Sequence, residues 1–250
     1  MEEKKIVLSV ALAVYNEEQN LSACLSSVKD IAGEIVVVDG GSGDKTVELA
    51  KSFGARVIET TNPPIFHINK QKALEACRGE WILQLDADEV IPEDLRSEIV
   101  RVVGDKQTTV NGFYIARKNF FLGRRLKKGG QFPDYVIRLV RRGKARFPQK
   151  SVHEQIIVDG EVGYLKAPML HYTYKTRAEY WRKANAYTAL TAHEFVKPSF
   201  FTYCFVKPVA TFFSLYIRHK GFIDGLAGFE FALYSALHYP MAYNKYLKKI

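Results

Sequence analysis

The chain has 250 residues, enough for one large domain, or a domain with an appendage, built around a full hydrophobic core. Its 47% hydrophobic and 25% charged content excludes a disordered polymer, and three widely spaced cysteines (Cys24, Cys77, Cys204) exclude a disulfide framework or a zinc pattern and suit buried thiols in a reducing compartment. The net charge of +9 is unevenly divided: residues 1–112 carry 12 Lys/Arg against 19 Asp/Glu, and residues 113–250 carry 24 against 8, which directs the second part toward an anionic partner such as a phospholipid surface, a phosphorylated substrate or nucleic acid.

The first part alternates between two periodicities. Ile6–Val14 reads as a strand and Glu17–Val28 as a helix, with Leu21, Cys24, Leu25 and Val28 on one face. Glu34–Val38 is a second strand, and Lys45–Phe53 a helix opened by Ser42 or Asp44 as N-cap. Arg56–Glu59, a helix over Ile68–Cys77, the strand Trp81–Leu85 and a helix over Pro92–Val103 complete the series. Strands alternating with helices of this length predict an α/β fold with a mostly parallel sheet flanked by helices, whose ligands bind beyond the carboxyl ends of the strands. Asn16, Asp39 and Asp86/Asp88 all fall just past strand ends, so one crevice is expected to collect them.

Beyond residue 110 the pattern changes. Gly112–Arg117, Tyr135–Arg141 and Ser151–Val158 read as strands around a basic, Gly-containing loop, Gly123–Gly130. From Arg177 the chain reads as helical, with breaks at Pro198, Pro208 and Pro240, and the last 55 residues form an aromatic-rich appendage. Phe200–Ile217 is almost wholly apolar, yet Lys207-Pro208 interrupts it and Val209–Ile217 is too short to span a bilayer, which takes about 20 apolar residues. Aromatic faces flanked by cations suit a non-spanning interfacial helix, and equally a helical cap packed on the domain. Met1 leads directly into a strand without a signal-like segment, so a cytoplasmic protein, peripheral on the inner face of the cell membrane, is expected.

The chemistry concentrates at Leu85-Asp86-Ala87-Asp88-Glu89. Carboxylates are too costly to bury unpaired, and two of them one residue apart at a strand end suit a hard divalent cation beside a diphosphate. Three further segments accompany this corner: Val10–Leu21 with Tyr15-Asn16-Glu17, Glu34–Thr46 with Asp39-Gly40-Gly41, and Asn69-Lys70-Gln71-Lys72-Ala73. In this order they resemble the family 2 inverting glycosyltransferases of GT-A (Rossmann-like) fold over about residues 5–160. The later segments Gly129–Leu139, Val152-His153-Glu154, His171-Tyr172 and Gly221–Phe229 resemble a bacterial subgroup that builds the lipopolysaccharide inner core.

The resemblance implies the following roles. Ala13, Tyr15, Glu17, Asp39, Lys70, Gln71 and Asp86 would meet the nucleotide-sugar: Tyr15 against the uracil ring, Asp39 at the uracil edge, Lys70 and Gln71 near the sugar and phosphates. Asp88, with Asp86 and in some relatives a histidine such as His171, would hold Mg2+ or Mn2+. Glu154 would be the general base, with Asp134 the competing candidate, since an inverting transfer needs a group to take the proton of the attacking hydroxyl. His153, Arg124, Arg125 and Arg138, with Lys127 and Lys128, would contact acceptor or diphosphate; a structural hydrogen bond for His153, packing for His171 and a solvated basic loop remain the plain alternatives. This sequence departs from the family at Gly40, where a second aspartate is common, and at Ala13, near a usual proline.

The expected arrangement is a catalytic domain over 1–175 (nucleotide half 1–110, acceptor half 111–175) and a helical region over 176–250. The expected reaction is metal-dependent transfer of a sugar from a UDP-hexose to a lipid-linked glycan such as lipopolysaccharide core, with the membrane surface and no nucleic acid among its partners. A polyprenyl phosphate, polysaccharide or glycoprotein acceptor is the alternative. A sugar nucleotidyltransferase is disfavoured because Ala-Val-Tyr-Asn-Glu stands where a Gly-rich, Arg-containing loop would follow the first strand. Acidic strand ends argue against nucleic acid.

Overall fold

A computed structural model describes residues 7–149 and 155–248. Two compact units divide the chain: residues 1–117 with 135–171, and residues 118–134 with 172–250. The second unit takes in the basic loop, residues 118–134, along with residues 172–250.

In the first unit, β1 (Leu8–Val14), α1 (Glu18–Val28), β2 (Glu34–Asp39), α2 (Thr46–Ser52), β3 (Arg56–Glu59), α3 (His67–Ala76) and β4 (Trp81–Leu85) follow the predicted alternation. Val36, Val37 and Val38 are buried on both faces of β2, and β-branched runs of this kind belong to the interior of a covered parallel sheet. On α1 the four residues of the predicted face, Leu21, Cys24, Leu25 and Val28, are fully buried, each large apolar side chain contributing about 1.5–3 kcal/mol. Helix α2 begins at Thr46, and the Asp44 carboxylate accepts the Thr46 N–H at 3.0 Å.

Two-residue β5 (Glu89–Val90) and α4 (Glu93–Gly104) come next, followed by β6 (Gly112–Phe121), β7 (Arg124–Arg125), β8 (Asp134–Arg141), β9 (Ala145–Arg146), β10 (Ile157–Val158), β11 (Val162–Tyr164) and β12 (Met169–Tyr174). The sheet runs β3-β2-β1-β4-β8-β6-β12-β5. The first four strands are parallel, whereas β8 lies antiparallel to β4 and β12 antiparallel to β5, so the sheet is mixed beyond β4. Residues 151–154 of the predicted strand Ser151–Val158 lie outside the described residues; its end forms β10.

The second unit contains α5 (Arg177–Glu194), α6 (Lys207–Phe213) and α7 (Gly225–Leu247). Its buried cluster joins Phe121 and Leu126 to Tyr180, Ala184 and Ala227. Pro198 breaks the helical pattern as expected, but Pro208 and Pro240 do not. The π-helical turn Thr202–Val206 immediately precedes α6 and includes Cys204, whose carbonyl the Pro208 ring would strike in a regular α-helix. Gly221 and Gly228 let the 3₁₀ turn Gly221–Asp224 lie on α7, since a Cβ on Gly228 would meet the Gly221 carbonyl. Among the described residues, no helix is long and apolar enough to cross a membrane.

Candidate functional site

The carboxyl ends of β1, β2 and β4 carry the first group of predicted residues. Asn16 adopts φ 54°, a conformation asparagine tolerates better than most residues, and its Oδ1 accepts the Gly43 N–H at 2.9 Å. The Asn16 and Glu17 N–H groups donate to Ser42 Oγ and Thr46 Oγ1, each at 2.8 Å, so the loops after β1 and β2 are stitched together. Tyr15 stands on this rim, 46% exposed, and Ala13 lies two residues before it on β1, partly buried. Asp39 is nearly fully buried: it accepts the Gly41 and Ser42 N–H groups at 2.9 and 2.8 Å and the Ser42 hydroxyl at 2.5 Å. The carboxylate expected at the uracil edge therefore holds its own loop.

At the end of β4 a turn brings four residues together. The Glu89 N–H donates to the Asp86 carbonyl and the Asp86 N–H to Glu89 Oε2, both at 3.0 Å, closing the turn from each side. Arg138 on β8 reaches it because β8 pairs with β4; its Nη2 donates to Asp86 Oδ2 at 2.6 Å and Glu89 Oε1 at 2.7 Å, and its Nη1 bonds Gln84. Arg138 Nε is buried with no partner among the described residues. Lys70 on α3, 7% exposed, pairs with Asp86 Oδ1, and Arg117 lies 3.8 Å from Glu89. Burial by itself would raise the Asp86 carboxyl, but Arg138 and Lys70 together hold it well below the usual carboxylate range. The same carboxylates outweigh burial at Arg138 and raise its guanidinium further.

Lys70, Arg117, Arg138 and Asp86 line one cavity with Phe66, Phe147 and the backbone-adjacent pair Gln155 and Ile156. These three cations are met by two carboxylates, Asp86 and the buried Glu89, which leaves an excess of one positive charge suited to a diphosphate. Gln71 is not among these residues. Its amide donates to Glu75 at 2.7 Å and accepts the Phe147 N–H at 2.8 Å, so the structure places it apart from Lys70. Adjacent residues on a helix point about 100° apart, so Lys70 and Gln71 cannot share a face.

Asp88 faces a different neighbour. Pairing of β5 with β12 sets His171 opposite Glu89, and His171 Nε2 lies 3.7 Å from Asp88 Oδ1. Burial pushes the His171 imidazole down to about 4, with Arg117 adding to the effect and Glu89 opposing it, so the ring is neutral near pH 7. A carboxylate with a neutral imidazole suits a Mn2+-type ion better than Mg2+, which prefers oxygen donors, and 3.7 Å is within the roughly 4.2 Å that two donors, each about 2.1 Å from one ion, can span. Among the described residues no group of three or more His, Cys, Asp or Glu could hold a metal ion. Asp86, expected as a further ligand, has its two oxygens on Lys70 and Arg138.

Other predicted residues lie elsewhere. Asp134 opens β8 within the second unit and accepts from Asn119 Nδ2 at 3.0 Å. Arg124 lines a cleft of the second unit with Lys175 and Arg177, and the Arg125 guanidinium sits 5.1 Å from the Phe132 ring centre. The Lys127 and Lys128 N–H groups donate to the Asp224 carboxylate, both reaching Oδ2, at 3.0 and 2.8 Å. Glu17 accepts from Asn20 at 2.7 Å. His153 and Glu154 lie outside the described residues. Sequence reasoning assigned no role to Gln84, Glu89 or Arg117, although Glu89 directly follows the paired aspartates.

The family profile described as glycosyl transferase family 2 matches residues 9–172. The lipopolysaccharide core biosynthesis glycosyltransferase LpsC of Rhizobium meliloti (strain 1021) is 32% identical over 253 residues, covering 94% of this chain and 89% of the relative. An uncharacterized glycosyltransferase of Rickettsia bellii is 27% identical over 244 residues, covering 89% and 80%. Among solved structures, S. aureus TarS 1–349 in complex with UDP-GlcNAc superposes with a TM-score of 0.55 at 16% identity, covering 97% of this chain and 89% of that one, a likeness of fold alone. The chain spans 46% of the longer S. aureus TarS structure. With the profile matching residues 9–172 and a 32% identical relative aligned over 94% of its length, this chain belongs to glycosyl transferase family 2.

Proposed function

We propose that the chain is an inverting, metal-dependent glycosyltransferase that moves a hexose from a UDP-type donor to a hydroxyl of a lipid-linked, anionic glycan such as lipopolysaccharide core. It would do so at the inner face of the cytoplasmic membrane, with residues 1–175 catalytic and 176–250 serving the membrane surface. The observation that carries this reading is the cavity at the strand ends, where Lys70, Arg117 and Arg138 gather around Asp86 and the buried Glu89, three cations against two carboxylates. Asp86 holds Lys70 and Arg138 in place before donor arrives, so their charge is preorganised for the diphosphate and costs little to arrange at the moment of transfer. Arg138 Nε keeps one further donor. Tyr15, exposed on the rim, offers its ring to the nucleobase, a stacking contact worth about 1–3 kcal/mol. Asp88 and His171 would hold the divalent ion, which when bound neutralises charge on the departing diphosphate.

For the base, Glu154 is favoured over Asp134. Gln155 and Ile156, the next residues in sequence, line the cavity, whereas Asp134 belongs to the second unit with Asn119 as its partner. The acceptor class rests on the basic second part of the chain and on the similarity to LpsC, a relative named for lipopolysaccharide core biosynthesis.

A panel of nucleotide-sugars, scored by thermal stabilisation and by hydrolysis with and without Mn2+, tests the donor reading, since a ligand stabilises the native state by mass action. A UDP-sugar should stabilise the protein more strongly with Mn2+ present. Absence of any response to UDP-sugars would overturn the donor class. Glu154→Gln should abolish transfer yet keep UDP binding; that pattern in Asp134→Asn instead would reassign the base.

A further inference from the structure

We propose that the helical segment over residues 200–218, continued by the turn Gly221–Asp224, is an in-plane docking face for an anionic lipid bilayer. This rests on the membrane-surface part of the reading above and deepens it, by naming the surface, its register and its partner. The segment is helical throughout, with a π-helical turn at each side of α6, Thr202–Val206 and Ser214–Arg218. One edge of it packs on α7: Phe212 and Tyr216 set their rings 5.7 Å from Phe229, and the Lys207 ammonium sits 3.8 Å over the Tyr203 ring, with Tyr239 of α7 next nearest.

The remaining face carries Phe201, Phe205, Val209, Phe213 and Ile217, a strict repeat of four in which each residue is between 51% and 65% exposed. In a regular α-helix four residues advance about 40° beyond one turn, so four such steps would wind a stripe about 160° around the axis. The π turns advance less per residue, because their bonds run i→i+5, and they offset that drift. The two π turns fall at the first and last steps of the repeat, Phe201–Phe205 and Phe213–Ile217. The stripe therefore runs along the helix, over about 24 Å at 1.5 Å per residue. Phe222, Ile223 and Leu226, all about half exposed or more, extend the apolar surface beyond it.

The charge pattern selects the partner. From residue 195 to 223 the chain has no Asp or Glu, while Lys197, Lys207, Arg218 and Lys220 flank or follow the stripe. Asp224, the first acid after it, has its carboxylate on the Lys127 and Lys128 N–H groups. A contiguous apolar stripe with cations at both ends and no competing acid is what the boundary of an anionic bilayer accepts. No helix among the described residues is long and apolar enough to cross instead.

Vesicle flotation of the full chain tests this, with vesicles of phosphatidylcholine alone and with 30% phosphatidylglycerol (about 0.15 M salt, where charge is screened beyond about 8 Å). The wild type should float with the phosphatidylglycerol vesicles, and Phe201→Ser/Phe205→Ser/Phe213→Ser should lower partitioning by about tenfold or more. Equal flotation of wild type and triple variant, or none of the wild type, would overturn the proposal. Should the triple variant fail to fold, Phe213→Trp supplies a second reading: its emission should shift to the blue and be quenched by brominated lipid, and an unchanged spectrum overturns the proposal too. If light scattering shows a lipid-free dimer that the triple variant abolishes while flotation is unaffected, the face joins two copies of this chain and the bilayer is rejected. Hydrolysis of a UDP-sugar in solution needs no vesicle, so failure of the donor reading and failure of the docking face would be separately visible.

Discussion

Glu89→Gln tests the buried charge network that supports Arg117 and Arg138 at the cavity. Glu89 is fully buried, accepts Arg138 Nη2 at 2.7 Å and the Asp86 N–H at 3.0 Å on different oxygens, and lies 3.8 Å from Arg117. Glutamine keeps one acceptor and turns the other into a donor, so one of those N–H groups would face another N–H. Arg138 and Arg117 would also lose a shared counter-charge. A unit pair 4 Å apart at an effective dielectric of 20 is worth about 4 kcal/mol, and removing one partner of a buried pair typically costs about 3–5 kcal/mol. Against a folding margin of about 5–15 kcal/mol, that should lower the melting temperature by roughly 6–20 °C. Urea unfolding followed by Trp81 fluorescence in a Trp181→Phe background reads the first unit, because Trp81 is fully buried on β4 and the chain has two tryptophans. Arg138→Met added to Glu89→Gln should recover part of the loss, a coupling of at least about 1 kcal/mol. A single-variant loss below about 1 kcal/mol, or strict additivity, would refute the network.

Asp88→Asn should leave urea stability within about 0.5 kcal/mol while removing the Mn2+ dependence of turnover; full metal-dependent activity would reject the Asp88–His171 pair. Gln71→Ala should leave UDP-sugar affinity unchanged and cost about 1 kcal/mol of stability, since the Phe147 N–H loses its acceptor; a large rise in KM alone would restore Gln71 to the donor site. Gly228→Ala should destabilise the second unit by about 1–3 kcal/mol, measured by calorimetry, because its methyl meets the Gly221 carbonyl and backbone must move; a neutral effect would mean that contact is soft.

The alternation of β1 to α4 was legible because most of its longer elements bury one face or both, and burial writes its period into the residue types. The paired aspartates stood out by their place at a strand end, whereas Tyr15 and Lys70 were singled out only by the resemblance to family 2 glycosyltransferases. What stayed hidden was non-local. Two-residue strands such as β5 and β7 have no period to read, and their pairing partners lie far along the chain. Arg138 was read as an acceptor or phosphate contact without its buried partners, since its place beside Asp86 comes from β8 packing against β4. Gln71, next to Lys70 in sequence, is not its neighbour on the helix face, and its partners are Glu75 and Phe147.

The two-residue ladder between β5 and β12 has a consequence for biosynthesis. Glu89 and His171 are 82 positions apart, and their pairing is what carries the imidazole to Asp88. A nascent chain that has emerged only as far as the paired aspartates already holds Tyr15, Asp39, Lys70 and both carboxylates, yet it lacks the histidine. Long-range strand pairing forms late because its loop-closure entropy must be met before the contact rewards it. The Asp88–His171 contact is thus made only once the chain through β12 is available, after the segments that carry Tyr15, Asp39 and Lys70.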